Sequence, residues 1–241
     1  PVGLMGGEPY RIMELTPYVG ASKATSSVIL YVMMHIFSHF CFWFFSIFLY
    51  LALRPVDIAM GTILAVVGAV SLLAIYFFMK GYKNGMAVRT LKLLQHIPFI
   101  KEWAKRFSEN KREALERVDS QIAELHKQRR STFYASLSLE FMARIIGCLE
   151  VYFILNILTT DVSFPACILI MAFTSLFANL FFFSPMQLGA REGGFALAVG
   201  GLAIPGAFGV YTGLITRVRE LIWIVIGVLL MKVGNGTPAN K

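Results

Sequence analysis

Residues 27–53 read SVILYVMMHIFSHFCFWFFSIFLYLAL, a run without a single Asp, Glu, Lys or Arg. The hydrocarbon core of a bilayer takes about 20 apolar residues of helix to cross. This run is long enough, and Phe42-Trp43-Phe44-Phe45 gives it an unusually aromatic centre. The whole chain agrees: of 241 residues, 57% are hydrophobic and 15% charged, and the mean hydropathy is +0.67. A soluble domain carries about 45–50% apolar and about 25% charged residues, and one soluble core could not bury this much apolar surface. The expected fold class is an all-α membrane protein, a polytopic helical bundle. Disordered, collagen-like and disulfide-scaffold classes are excluded. Cys41, Cys148 and Cys167 lie in apolar runs, form no CxxC and are odd in number, so they read as small buried hydrophobes.

Working outward, four more spans are expected, at 59–79, 133–158, 165–183 and 210–231. Between them lies a charged stretch: residues 80–130 hold thirteen Lys/Arg and six Asp/Glu, a net +7 of the total +8. The positive-inside rule puts this loop in the cytoplasm, so the basic balance reports topology and gives no reason to expect nucleic acid as a partner. Within the loop, Phe99, Ile100, Trp103 and Phe107 share a helical face flanked by Lys101, Lys105 and Arg106, the pattern of an interfacial amphipathic helix. Leu115, Val118, Ile122 and Leu125 repeat at helical spacing further on, compatible with a packed helix or a solvated connector.

Ionisable residues inside spans are expensive and therefore informative. Glu140 and Arg144 are four apart, on one helix face, with Arg144 about 16 Å into its span. They read either as a structural ion pair or as a secondary polar path for a headgroup. His35 and His39 have the same spacing, which suits a metal, but no Glu, Asp or Cys in the same turns completes a tetrahedral set. Hydrogen-bonded core histidines are expected instead, with no metal or other cofactor. No G-x-x-x-x-G-K-[ST] phosphate loop occurs either, so no nucleotide motor is expected.

Two segments mix Gly, Pro and charge in a way ordinary spans do not. One is Pro1-Val2-Gly3-Leu4-Met5-Gly6-Gly7-Glu8-Pro9-Tyr10-Arg11; the other is Ser184-Pro185-Met186-Gln187-Leu188-Gly189-Ala190-Arg191-Glu192-Gly193-Gly194. In each, small residues let the backbone turn and approach a ligand. An acid and an Arg follow, and a helical pattern begins whose amides can face an anion. The stretch 185–204 is a re-entrant candidate, because its apolar part is too short to span. Broken elements near both ends resemble transporter sites made from discontinuous helices; interfacial loops with snorkelling charges are the plainer alternative.

Gly6-Gly7-Glu8-Pro9-Tyr10-Arg11 resembles the GGE-x-x-R motif of the flippase-like membrane family that shares its domain with the transmembrane part of lysylphosphatidylglycerol synthase. Leu188-Gly189-Ala190-Arg191-Glu192 resembles that family's Pro-x-x-Leu-Gly-x-Arg-Glu segment, and Arg217 in Leu214-Ile215-Thr216-Arg217 matches a later Arg. The second motif departs from the family in having little Gly around Pro185. The chain starts almost at the first motif and at Pro1 rather than Met, so a missing N-terminal part is expected. No counterpart of the soluble synthase domain is expected within these residues.

The resemblance implies a bacterial inner-membrane protein that moves a phospholipid or a related anionic or aminoacylated lipid between leaflets. The implied substrate-binding residues are Gly6, Gly7, Glu8, Arg11, Gly189, Arg191, Glu192 and Arg217. A homo-oligomer, or a partner enzyme supplying modified lipid, fits this reading. No catalytic constellation is evident: G-x-S-x-G is absent, and only Glu8, Glu192 and the histidines offer acid–base groups. A lipid-modifying enzyme and a membrane scaffold acting through the basic loop are the alternatives.

Overall fold

A computed structural model describes residues 7–84, 120, 130–159, 161–181 and 187–234. The amphipathic pattern expected between 80 and 130 lies, beyond α3, outside the described residues, as do Gly6 and Pro185. Among the described residues the regular elements are all helices: α1 (Glu8–Val19), α2 (Ala21–Leu53), α3 (Ile58–Asn84), α4 (Arg130–Leu158), α5 (Phe164–Leu180), α6 (Ala190–Gly200) and α7 (Gly206–Gly234). The chain is an all-helical membrane protein.

Local chemistry sets the breaks. Gly20, at φ 83°, separates α1 from α2 in a conformation that favours glycine. Pro55 ends α2 by forcing Arg54 out of the helical region, to φ −135° and ψ 141°. The Asp57 carboxylate then accepts from the Met60 amide at 2.8 Å, capping the start of α3. Ser163 caps α5, and Pro165 occupies its first turn, where a missing N–H costs nothing.

Three of the expected spans fall in helices long and apolar enough to cross a bilayer: Ala21–Leu53, Ile58–Lys80 and Ser131–Leu158. The expected span at 165–183 corresponds to α5, which is shorter at 17 residues. The one at 210–231 falls in α7, which at 29 residues is long enough but contains Arg217, Arg219 and Glu220. Large apolar side chains stand exposed along α3 (Val66, Val70, Leu73) and α7 (Leu221, Trp223, Val225, Leu229), as a hydrocarbon solvent requires.

The chain forms two compact units, Pro1–Gly147 and Cys148–Lys241. In the first, Phe37 of α2 stacks on Phe78 of α3 with centroids 4.1 Å apart, and Phe133 of α4 joins them. In the second, Val151 and Leu155 of α4, Cys167 and Ile170 of α5, and Phe195 and Val199 of α6 form the core.

The link from α4 to α5 is pinned by Asn156. Its amide donates to the carbonyls of Tyr152 (2.9 Å) and Val162 (3.0 Å), and its carbonyl accepts from the Val162 amide (3.2 Å). Val162 is buried, so Asn156→Ala strands two backbone groups. We expect a loss of about 1–3 kcal/mol, read as a lower melting temperature of the detergent-solubilised protein.

Candidate functional site

The second unit gathers most of its charge around α6 and α7. Entry to α6 is sharply turned: Gln187 has φ 54° and Gly189 φ 78°. The Gly189 amide donates to Glu192 Oε2 at 2.9 Å, and the Gly193 amide to the Gly189 carbonyl at 2.8 Å. Glu192 thus closes the helix start with its own side chain. At 11 residues α6 is about 16 Å long, too short to span. A turn over 201–205 then returns the chain into α7.

Three glycines of α7 let it lie directly against α6. A Cβ at Gly209 would stand 2.4 Å from the Phe195 carbonyl oxygen; at Gly213 it would stand 3.2 Å from Glu192 Cα, and at Gly206, 3.4 Å from the Ala196 oxygen. Small residues at such spacing are how membrane helices achieve backbone-to-backbone contact. On the other side, a Cβ at Gly194 would meet Thr174 Cα of α5 at 3.3 Å.

This close crossing delivers Arg217 to the start of α6. Its Nε donates to Glu192 Oε1 at 2.9 Å, and its Nη2 donates to the Gln187 carbonyl at 3.0 Å. Both side chains of the Glu192–Arg217 pair are 15% exposed. Arg191 is paired with Glu220, which also lies 3.8 Å from Arg217. Arg219 reaches Glu150 of α4 at 2.6 Å. The result is one network of three arginines and three glutamates, balanced in charge as a low-dielectric setting demands. Burial would raise the Glu192 carboxyl, but the hydrogen bond from Arg217, those from its own amide and from Gly189, and the Arg217 charge together hold it below its ordinary value. Chemically, the network presents guanidinium forks to an anion and carboxylates to a cation.

Of the residues singled out from sequence, Gly189, Arg191, Glu192 and Arg217 are therefore brought together. Glu220, Arg219, Glu150 and the Gln187 carbonyl complete the network and were not among them. The charges inside the 210–231 span and the spacing of Gly206, Gly209 and Gly213 were the available signals.

Gly7, Glu8 and Arg11 belong to the first unit. Glu8 opens α1 and accepts from the Gly7 amide at 3.2 Å, so in both motifs a glutamate takes an amide of the glycine before it. The Arg11 guanidinium lies 4.9 Å from the Tyr31 ring centroid, a cation–π distance. Tyr31 stacks on His35, centroids 6.2 Å apart, and His35 Nδ1 lies 2.6 Å from Glu140 Oε1. Arg144 donates to Ser38 Oγ (2.7 Å), His39 Nδ1 (3.1 Å) and the His35 carbonyl (3.0 Å), and stands 3.9 Å from Glu140. Glu140 and Arg144 do face each other, yet each has a closer partner on α2, and His35 and His39 are both hydrogen-bonded within this cluster. Arg11 connects to it through Tyr31.

Long apolar helices, an interrupted short helix and charges held in hydrogen-bonded clusters define a multi-pass helical membrane protein. The chain belongs to the lysylphosphatidylglycerol synthase TM region family, which it matches over residues 1–227. That family places it among membrane proteins of lipid metabolism or transport. Nothing matches it among curated proteins or solved structures.

Proposed function

We propose that the protein moves, or helps to move, a phospholipid or a related anionic or aminoacylated lipid between the leaflets of a bacterial inner membrane, with the 80–130 loop on the cytoplasmic side. The observation that carries this reading is the Arg191–Glu220 and Arg217–Glu192 network beside the interrupted helix, in a chain of this family. A phospholipid phosphate is an anion that a guanidinium fork can grip with two hydrogen bonds. Arg191 and Arg217 supply the forks, exchanging a carboxylate for a phosphate. Glu192 and Glu220 then hold the arginines in place or meet a cationic aminoacyl ester.

The turn at Gly189 gives a headgroup close access to backbone, and Gly7, Glu8 and Arg11 at the start of α1 provide a second anchoring set. Within the first unit, Glu140 and Arg144 offer a headgroup a polar surface of their own. No bond is made or broken in this account, so the protein acts as a translocase rather than an enzyme, alone, as a homo-oligomer, or with a partner enzyme that supplies modified lipid.

The test is lipid retention. Protein purified in mild detergent should carry anionic or aminoacylated phospholipid, and Arg191→Ala should carry about tenfold less, the cost of one charge-assisted contact. Equal retention by the variant would remove Arg191 from the site. A chemically altered lipid in the extract would put an enzyme in the translocase's place.

A further inference from the structure

Glu220 stands where three guanidiniums meet. Arg191 Nη1 donates to its Oε1, Arg217 Nη1 lies 3.8 Å from its Oε2, and Arg219 Nη2 lies 4.0 Å from Oε1. Two of these arginines have a closer carboxylate of their own: Arg217 holds Glu192 at 2.9 Å, and Arg219 holds Glu150 at 2.6 Å. Arg191 has no other ion-pair partner among the described residues.

The three carboxylates are not held alike. Glu192 is bound at both oxygens, by the Gly189 amide and by Arg217, and its side chain is 15% exposed. Glu150 is 22% exposed and Glu220, the most open, 36%; among the described residues no backbone amide donates to Glu220. Its departure would leave Arg217 and Arg219 paired and would free Arg191, with two more guanidiniums at the same point. Stripping a largely buried cation of its partner is costly, so the carboxylate leaves only as another anion arrives. A phosphate diester meets that condition. Like a carboxylate it brings one negative charge and two unesterified oxygens, and guanidinium forks accept either.

We propose that Glu220 holds the place of the headgroup phosphate: the anion site is the point where Arg191, Arg217 and Arg219 converge, and Glu220 is its internal competitor. A lipid phosphodiester displaces the Glu220 carboxylate from Arg191, and the carboxylate turns to the open side of the network. When the lipid departs, Glu220 returns and no guanidinium is stranded. Because the closed form is the resident one, apparent affinity is reduced by the fraction of sites left open, and removing the competitor raises it. This inference rests on the lipid reading above and deepens it. It separates Glu192, which builds the site, from Glu220, which occupies it, and it adds Arg219 to the anion's partners.

The experiment is calorimetric titration of the full chain, in an uncharged detergent, with dihexanoyl phosphatidylglycerol. Glu220→Gln keeps the side chain's size and removes its charge, so it should bind the probe about tenfold more tightly than the wild type, one charge-assisted contact no longer competing. Glu220→Asp keeps the charge but draws it back by one methylene. It should bind with intermediate affinity, and it decides the matter if the Gln variant does not fold. Arg191→Ala should bind more weakly, and adding Glu220→Gln to it should bring no gain. A carboxylate that merely braces α7 against α6 gives the opposite sign, so binding unchanged or weakened in both Glu220 variants overturns the proposal. Inorganic phosphate that displaces the probe at equal concentration would uphold the role of Glu220 and assign the site to a soluble anion. Tighter binding by Glu220→Gln without leaflet transfer by the wild type would refute only the translocase reading.

Discussion

Gly209→Val should eliminate the folded C-terminal unit. A Cβ there would stand 2.4 Å from the Phe195 oxygen, 2.6 Å from its carbonyl carbon and 2.7 Å from Ala196 Cα. All three are backbone atoms of α6, so no rotamer change relieves the clash and the two helices must separate. Separation opens the core around Phe195 and Val199, both fully buried, and draws Arg217 away from Glu192. The expected cost exceeds about 4 kcal/mol, in the range reserved for disrupted backbone packing. In size-exclusion chromatography the variant should lose its monodisperse peak. Gly227→Val is the control, since a Cβ at Gly227 meets nothing within 4 Å; it should elute like the wild type.

Glu192→Ala is the second large effect. One carboxylate serves two ends: Oε2 caps α6 at Gly189, and Oε1 holds Arg217. Truncation leaves a largely buried guanidinium without its nearest anion, costing about 3 kcal/mol, and also removes the cap. Glu192→Gln retains a neutral acceptor for Gly189 and should lose less, so the two melting temperatures should rank wild type, Gln, Ala. Because the folded carboxyl is held below its ordinary value, its contribution is complete above the ordinary carboxylate range and disappears as pH falls through the lowered value. A melting temperature that does not change between wild type and Glu192→Ala would mean that the pair does not hold α6 to α7.

The sequence foretold these features unequally. The span in α2 was readable because hydrophobic length is a one-dimensional property, and Pro55 and Gly20 mark breaks by local sterics. Arg191, Glu192 and Arg217 were legible from motif and from their rarity inside apolar surroundings. Their pairing was not. The Arg191–Glu220 contact depends on where α7 crosses α6, which is decided by Gly206, Gly209 and Gly213 jointly with the turn at 201–205. Likewise, helical spacing joined Glu140 to Arg144, but the shorter contact of Glu140 is with His35, 105 positions away, and only the packing of α4 on α2 creates it.

Movement of lipid by way of the Arg191–Arg217 network is open to a direct test by leaflet transfer in proteoliposomes. Labelled anionic and aminoacylated phospholipids are placed in one leaflet, and their appearance in the other is followed for wild type and Arg191→Ala at matched insertion. Transfer by the wild type and loss of most of it in the variant are expected. Normal transfer by well-inserted Arg191→Ala protein would contradict that expectation.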